Sequence, residues 1–224
     1  MQFEPNDIVL YPTDTLYGLG VDATNPEMVQ KLKELKGRAP TPVFSSHSGA
    51  LAEQAMKKQV WGRGSEKHFS IAVSDVEMLR QYAVVTPLAE RLITAFLPGK
   101  LTLILIPNVQ SPGSGHLMLA RELGIDTGEI GVRIPAHEGT LAMIRAFGKP
   151  ITATSANVSG MVPEKTPKEI LQQFGERAAL ITKVIDEGEL PPSEPSTVVD
   201  ARGTLPIVIR PGAVSEVAIS EALR

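Results

Sequence analysis

The chain has no cysteine in its 224 residues, which excludes disulfides, thiol nucleophiles and thiolate metal sites. Aromatic residues are scarce, at 4% with one tryptophan, so stacking platforms for single-stranded nucleic acid are thinly supplied. No apolar run approaches the roughly 18 residues of a membrane span. The opening "MQFEPND" lacks a basic region followed by an apolar stretch, so no secretion signal is visible and a cytoplasmic location is expected. Neither sign of charge dominates. With 22 Lys and Arg against 25 Asp and Glu the net charge is −3, so a polyanion would need a local basic patch. Familiar catalytic signatures are missing too. There is no G-x-x-x-x-G-K-[ST] and no G-x-S-x-G. The four histidines, His47, His68, His116 and His137, lack metal-ligand spacing and a convincing triad partner.

What is present reads as one soluble α/β domain over residues 1–224. Apolar residues make up 42% and charged residues 21%, as in ordinary globular proteins. "DIVLYP" reads as a buried strand. "NPEMVQKLKELKGR" reads as a helix with Asn25 as cap, Pro26 in the first turn, Gly37 at the end and a Met28, Leu32, Leu35 stripe. "FSIAV" is a strand, and Ser74 with Glu77 has capping-box spacing before the next helix. Further strands are expected at "LTLILI", "IGVRI", "ITAT", "ALITKVID", "STVVDA" and "PIVIR", with helices at "TPLAERLITAFLPG", over about 139–147 and at "TPKEILQQFG", and a short one at the C-terminus. Strands and helices interleave, but the late strands come nearly without helices. A twisted, mostly mixed sheet flanked by helices is therefore expected. The stretches 39–67 and 111–117 read as mobile; the first is mildly basic and has room for a short helix around 50–60.

Several polar motifs sit at strand ends, where ligands of open α/β sheets bind. "YPTDTLYGLG" packs two threonines, an aspartate and a tyrosine between a proline and two glycines. Its "GLGVDA" fits G-x-G-x-x-A, but the helix starts only near Pro26 and no Asp or Glu occurs between Glu34 and Glu53. Both points argue against a dinucleotide site. Lys36 and Arg38 end a helix, where they either complement its dipole or form a pair of cations for a triphosphate. Arg133, inside "GVRIP", needs either an internal carboxylate or a ligand's carboxylate. "TATSANVSG" offers Ser155, Asn157 and Ser159 as a capped turn or as ligand contacts. Ser196, Thr197 and Arg210 lie near later strand ends and say little alone.

Their order says more. "YPTDTLYGLG", "KGR", "LPGKLTLIL", "GVRIPAH", "TSANVSG", "PSTVVD" and "IRPG" together resemble the YrdC-like family, the threonylcarbamoyl-adenylate synthases, over about residues 8–212. The resemblance implies a YrdC-like fold with a concave, basic ligand-binding face. It implies an L-threonylcarbamoyladenylate synthase, a nucleotidyltransferase. Such an enzyme joins L-threonine, bicarbonate or CO2, and ATP into threonylcarbamoyl-AMP and pyrophosphate. A partner transferase complex then modifies adenosine 37 of tRNA, with weak direct tRNA contact an option. Carried over residue by residue, Thr15, Tyr17, Arg133, Ser155 and Ser196 fall on the threonine side. Lys36, Arg38, Thr102, Asn157 and Arg210 fall on the ATP side. Mg²⁺ is expected with the nucleotide, held through its phosphates, and no protein metal site is implied. No covalent intermediate is needed, so positioning and fixed charge suffice, with Lys36 and Arg38 as the phosphate-stabilising cations.

The chain departs from the family pattern after "KGRAPT", with an atypical insertion at about 42–67. The position four residues after Arg38 is Pro42, which has no N–H to donate. His68 is the candidate for the family's histidine. The insertion reads as a mobile lid or a disordered loop, and no further C-terminal domain is expected. Two other readings share the fold, an RNA-binding module and a related carbamoyl-adenylate enzyme. The acidic balance, the few aromatics and the complete set of small-ligand motifs argue against the first, and the zero cysteines and the length against the second.

Overall fold

The computed structural model describes residues 2–38, 68–108 and 118–224. The expected insertion, its helix around 50–60 and the stretch 111–117 lie outside the described residues. Ten strands form one mixed sheet in the order β10-β9-β5-β6-β3-β7-β2-β1-β8, with β4 paired to β5. The strands are β1 Val9–Tyr11, β2 Gly18–Gly20, β3 Ser70–Ala72, β4 Ala83–Val84, β5 Leu101–Pro107, β6 Ile130–Arg133, β7 Ile151–Ser155, β8 Lys183–Val184, β9 Thr197–Asp200 and β10 Ile207–Arg210. β1–β8, β3–β6 and β5–β9 are parallel, and the remaining pairs are antiparallel.

Period-two alternation divides the sheet into two unlike faces. Leu10, Leu19, Ile71, Leu101, Leu103, Leu105, Ile130, Val132 and Val199 point into the main core. Helices α1 (Pro26–Leu35), α2 (Val76–Tyr82), α3 (Pro87–Phe96), α5 (Pro167–Phe174) and α6 (Glu216–Ala222) cover that core with Leu32, Leu79, Leu92, Phe174 and Ile219. The other face is covered only in part. There α4 (Glu138–Phe147) packs Met143 and Ile144 onto Val9, Tyr11, Ala72 and Ile151. Among the described residues, the rest of that face stays open.

The helix boundaries follow local chemistry. Asn25 caps α1 by accepting from the Glu27 and Met28 amides, and Met28, Leu32 and Leu35 are buried as their spacing predicts. Thr166 and Glu169 form a capping box on α5. At α2 the expected Ser74–Glu77 box does not form. Asp75 is the cap, accepting from the Met78 amide, while the Ser74 hydroxyl donates to Asp75 at 2.6 Å. A carboxylate one residue nearer the helix outcompetes the hydroxyl for the free amide. "ALITKVID" yields only the two-residue β8, because residues Gly175–Leu180 continue α5 as a 3₁₀ helix.

"GLG" is itself a strand. The Tyr11 ring lies across it. A Cβ on Gly18 would sit 2.8 Å from Tyr11 Cζ, and one on Gly20 would sit 2.9 Å from Tyr11 Cε1. The two glycines exist to let that ring lie flat, with its hydroxyl on the Thr152 carbonyl at 3.1 Å. Among the described residues no helix is long and apolar enough to cross a membrane.

Candidate functional site

A cavity of about 550 Å³ opens on the uncovered face. Its floor follows the strand register. Gly18 pairs with Ser155, Ser70 with Ala153, Ala72 with Arg133 and Thr102 with Val198, and all eight line the cavity. Directly opposed residues point to the same side, and most of these are small, so the sheet itself is hollow there. The strand-end location expected from the sequence therefore needs correcting. The site lies over the face of the sheet, and loops at several strand ends wall it. All ten residues carried over by resemblance, Thr15, Tyr17, Lys36, Arg38, Thr102, Arg133, Ser155, Asn157, Ser196 and Arg210, line this cavity.

The β1–β2 loop is wound around one hydroxyl. Thr13 Oγ1 donates to the Leu16 carbonyl at 2.7 Å and accepts from the Thr15 and Leu16 amides. Thr15 Oγ1 lies 3.1 Å from it and accepts from Arg133 Nη1 at 2.9 Å. Arg133 Nη2 donates to Asp14 in a short ion pair, and Nε donates to the Gly99 carbonyl at 3.3 Å. The internal carboxylate and the cavity are thus both realised for this guanidinium. Tyr17 has a second task. Its hydroxyl donates to the Gly188 carbonyl at 2.9 Å and accepts from the Glu187 amide at 3.0 Å, which ties the loop after β8 to the cavity wall.

Gly37 takes a left-handed conformation, φ +68°, and ends α1 with its amide on the Glu34 carbonyl at 2.9 Å. Lys36 and Arg38, on either side of it, both reach the cavity. The Lys36 side chain is only 1% exposed. Its ammonium donates to the Ser155 and Asn157 carbonyls, and the Lys36 carbonyl accepts from the Ser159 amide. Lys36 therefore braces the "SANVS" turn as well as charging the cavity. Within that turn Ser155 Oγ donates to Asn157 Oδ1, and Asn157 Nδ2 donates to the Val158 and Met161 carbonyls. Arg38 Nε donates to Ser159 Oγ at 3.1 Å, and its guanidinium stacks 4.2 Å above the Phe69 ring.

On the far wall Thr102 Oγ1 and Ser196 Oγ are 2.8 Å apart. Arg210 Nη2 donates to the Ser196 carbonyl at 2.8 Å. Burial pushes the Arg38 guanidinium down to about 10. Burial lowers Arg210 too, and the nearby positive charge of Arg133 adds to it. Burial also lowers Arg133, with Asp14 acting in the opposite direction. Each of these charges is held at a cost that an incoming anion relieves.

Sequence reasoning missed several cavity residues. Ser70, Ala153 and Thr154 join the wall because of register, and Pro163 and Pro195 through loop paths. The out-of-pattern serine in "FSIAV" was the one available signal. His68 also lines the cavity, with Nδ1 3.9 Å from Glu129 Oε1. His137 lies elsewhere, 3.0 Å from Glu187, and His47 and His116 fall outside the described residues.

Comparison with known proteins gives the family. The Sua5/YciO/YrdC family model, described as "Telomere recombination", matches residues 2–58 and 53–212. The threonylcarbamoyl-AMP synthase of Bacillus subtilis is 30% identical over 213 residues, 94% of this chain and 51% of that protein. The threonylcarbamoyl-AMP synthase of Pyrococcus abyssi is 32% identical over 207 residues, 92% of this chain and 50% of that protein. The structure of P. abyssi Sua5 complexed with L-threonine superposes with a TM-score of 0.76 at 28% identity, covering 97% of this chain and 54% of that one. The chain spans about half the length of these relatives.

Proposed function

The chain belongs to the Sua5/YciO/YrdC family, and on that premise we propose that it forms threonylcarbamoyl-AMP and pyrophosphate from L-threonine, bicarbonate or CO2, and ATP. One observation carries the reading. Lys36, Arg38, Arg133 and Arg210 converge with the hydroxyls of Thr15, Thr102, Ser155 and Ser196 on one cavity whose described lining contains no Asp or Glu. Such a set suits two anionic groups, a carboxylate and a triphosphate, held side by side.

Arg133 and Thr15, with Tyr17, Ser155 and Ser196, would seat the amino acid. Lys36, Arg38, Thr102, Asn157 and Arg210 would seat the nucleotide. The threonine nitrogen attacks CO2 and loses a proton, giving an N-carboxylate. A carboxylate oxygen of that group then attacks the α-phosphorus, a P–O bond forms, and the α–β bridge breaks to release pyrophosphate. The charge that builds on the leaving phosphates is met by cations already in place, which need no reorganisation. Among the described residues no group of three or more His, Asp or Glu could hold a metal. A magnesium ion would therefore arrive with the nucleotide, on its phosphate oxygens. The product is a reactive mixed anhydride, suited to a transferase that passes the threonylcarbamoyl group to adenosine 37 of tRNA.

Pyrophosphate release from ATP tests the reading. Release that requires both threonine and bicarbonate, with threonylcarbamoyl-AMP found by mass spectrometry, is the expected result. Release that is indifferent to either substrate overturns it.

A further inference from the structure

Asp14 lies behind the cavity wall, and its side chain is only 9% exposed. It holds Arg133 Nη2 through Oδ1, while its Oδ2 is buried and accepts no hydrogen bond from the described residues. A guanidinium has five N–H bonds. On Arg133 one goes to Gly99, one to Thr15 and one to Asp14, which leaves one on each terminal nitrogen. A carboxylate bound there shares its cation with Asp14. Two anions on one buried cation repel each other unless a positive charge stands beside them. An α-amino acid brings that charge itself, one carbon from its carboxylate. A plain carboxylic acid of the same shape does not.

We infer that Asp14 makes the Arg133 subsite selective for a zwitterion, an α-ammonium carboxylate, over the matching carboxylate without an amine. The inference rests on the reading above, in which Arg133 takes the amino acid. Asp14 acts through its charge across a poorly solvated wall, so it need not touch the ligand. It is a positioning and selectivity residue, and its signature is a ratio of affinities and not a loss of binding alone.

Isothermal titration with L-threonine and with 3-hydroxybutyrate, which is threonine without its amine, tests it. Wild-type protein binds threonine at least about tenfold more tightly. Asp14→Asn brings the ratio down about fivefold or more, and Asp14→Glu keeps most of it. The wild-type protein gives an independent reading. Raising the pH through the pKa of the ligand's amine removes its positive charge, and the preference for threonine shrinks. This arm decides the matter if Asp14→Asn fails to fold. Threonine binding with a ratio that neither the substitution nor the pH changes overturns the inference alone. Binding of neither ligand by wild type ends the threonine reading and the inference together.

Discussion

The Tyr11 ring fills the space where Gly18 would carry a side chain, at 2.8 Å from the position of a Cβ. The ring cannot yield easily, because its hydroxyl is fixed on the Thr152 carbonyl. Gly18→Ala should therefore cost about 1–3 kcal/mol through overpacking. Denaturant unfolding measures it. The same substitution in a Tyr11→Leu background should cost clearly less, since the two positions share one space.

Arg133 and Asp14 stabilise each other's charge in a nearly dry site. Arg133→Ala leaves Asp14 buried without its counter-ion, at a cost of about 3–5 kcal/mol. It also removes the charge-assisted contact proposed for threonine. The KM for threonine should rise about tenfold or more, with a much smaller change for ATP. Equal threonine KM values in a folded Arg133→Ala protein would take Arg133 out of its role.

Lys36 supports a turn as well as charging the cavity. Lys36→Met fills the same volume but leaves the Ser155 and Asn157 carbonyls without this donor. The Ser155 carbonyl keeps the Asn157 amide at 3.0 Å, so a stability loss of about 1–3 kcal/mol is expected from the Asn157 carbonyl, together with weaker ATP binding. Thermal melts and nucleotide titration separate the two effects. Undiminished stability would show that the turn does not depend on this ammonium.

The hollow floor depends on small residues. Ala153 lines the cavity and is only partly buried, so Ala153→Leu places its extra carbons in the ligand space and not in the main core. Threonine or ATP affinity should fall at least about tenfold, with little change in the melting midpoint. Full affinity in the variant would show that neither substrate uses this part of the floor.

Asp75 caps α2, and the hydrogen bonds from the Ser74 hydroxyl and the Met78 amide hold its carboxyl below the usual value of 3.8. A carboxyl lowered on folding stabilises the protein above its unfolded pKa, and that contribution is lost as pH falls through the folded one. Asp75→Ala should cost about 1 kcal/mol at neutral pH. Wild type should lose more stability than Asp75→Asn between neutrality and the acid side of 3.8. Urea titrations at the two pH values give both numbers.

Local chemistry wrote most of the elements, and the family resemblance supplied the candidate list. The Asn25 cap, the Met28–Leu32–Leu35 stripe and the apolar run "LTLILI" are short-range signals, and each produced the element expected. The resemblance carried by the order of the motifs named the ten polar residues that line the cavity. What register and packing decided could not be read in one dimension. Ser70 meets Ala153, and Thr102 meets Val198, only because strands distant in sequence pair with one offset, and a slip of one residue would turn every such side chain to the other face. The same pairing brought Asp14 to Arg133, tied Lys36 to a turn well over a hundred residues away and gave Gly18 its purpose beneath Tyr11. Spacing along a chain reports which face a residue shares with its neighbours, but only the assembled sheet sets what stands opposite.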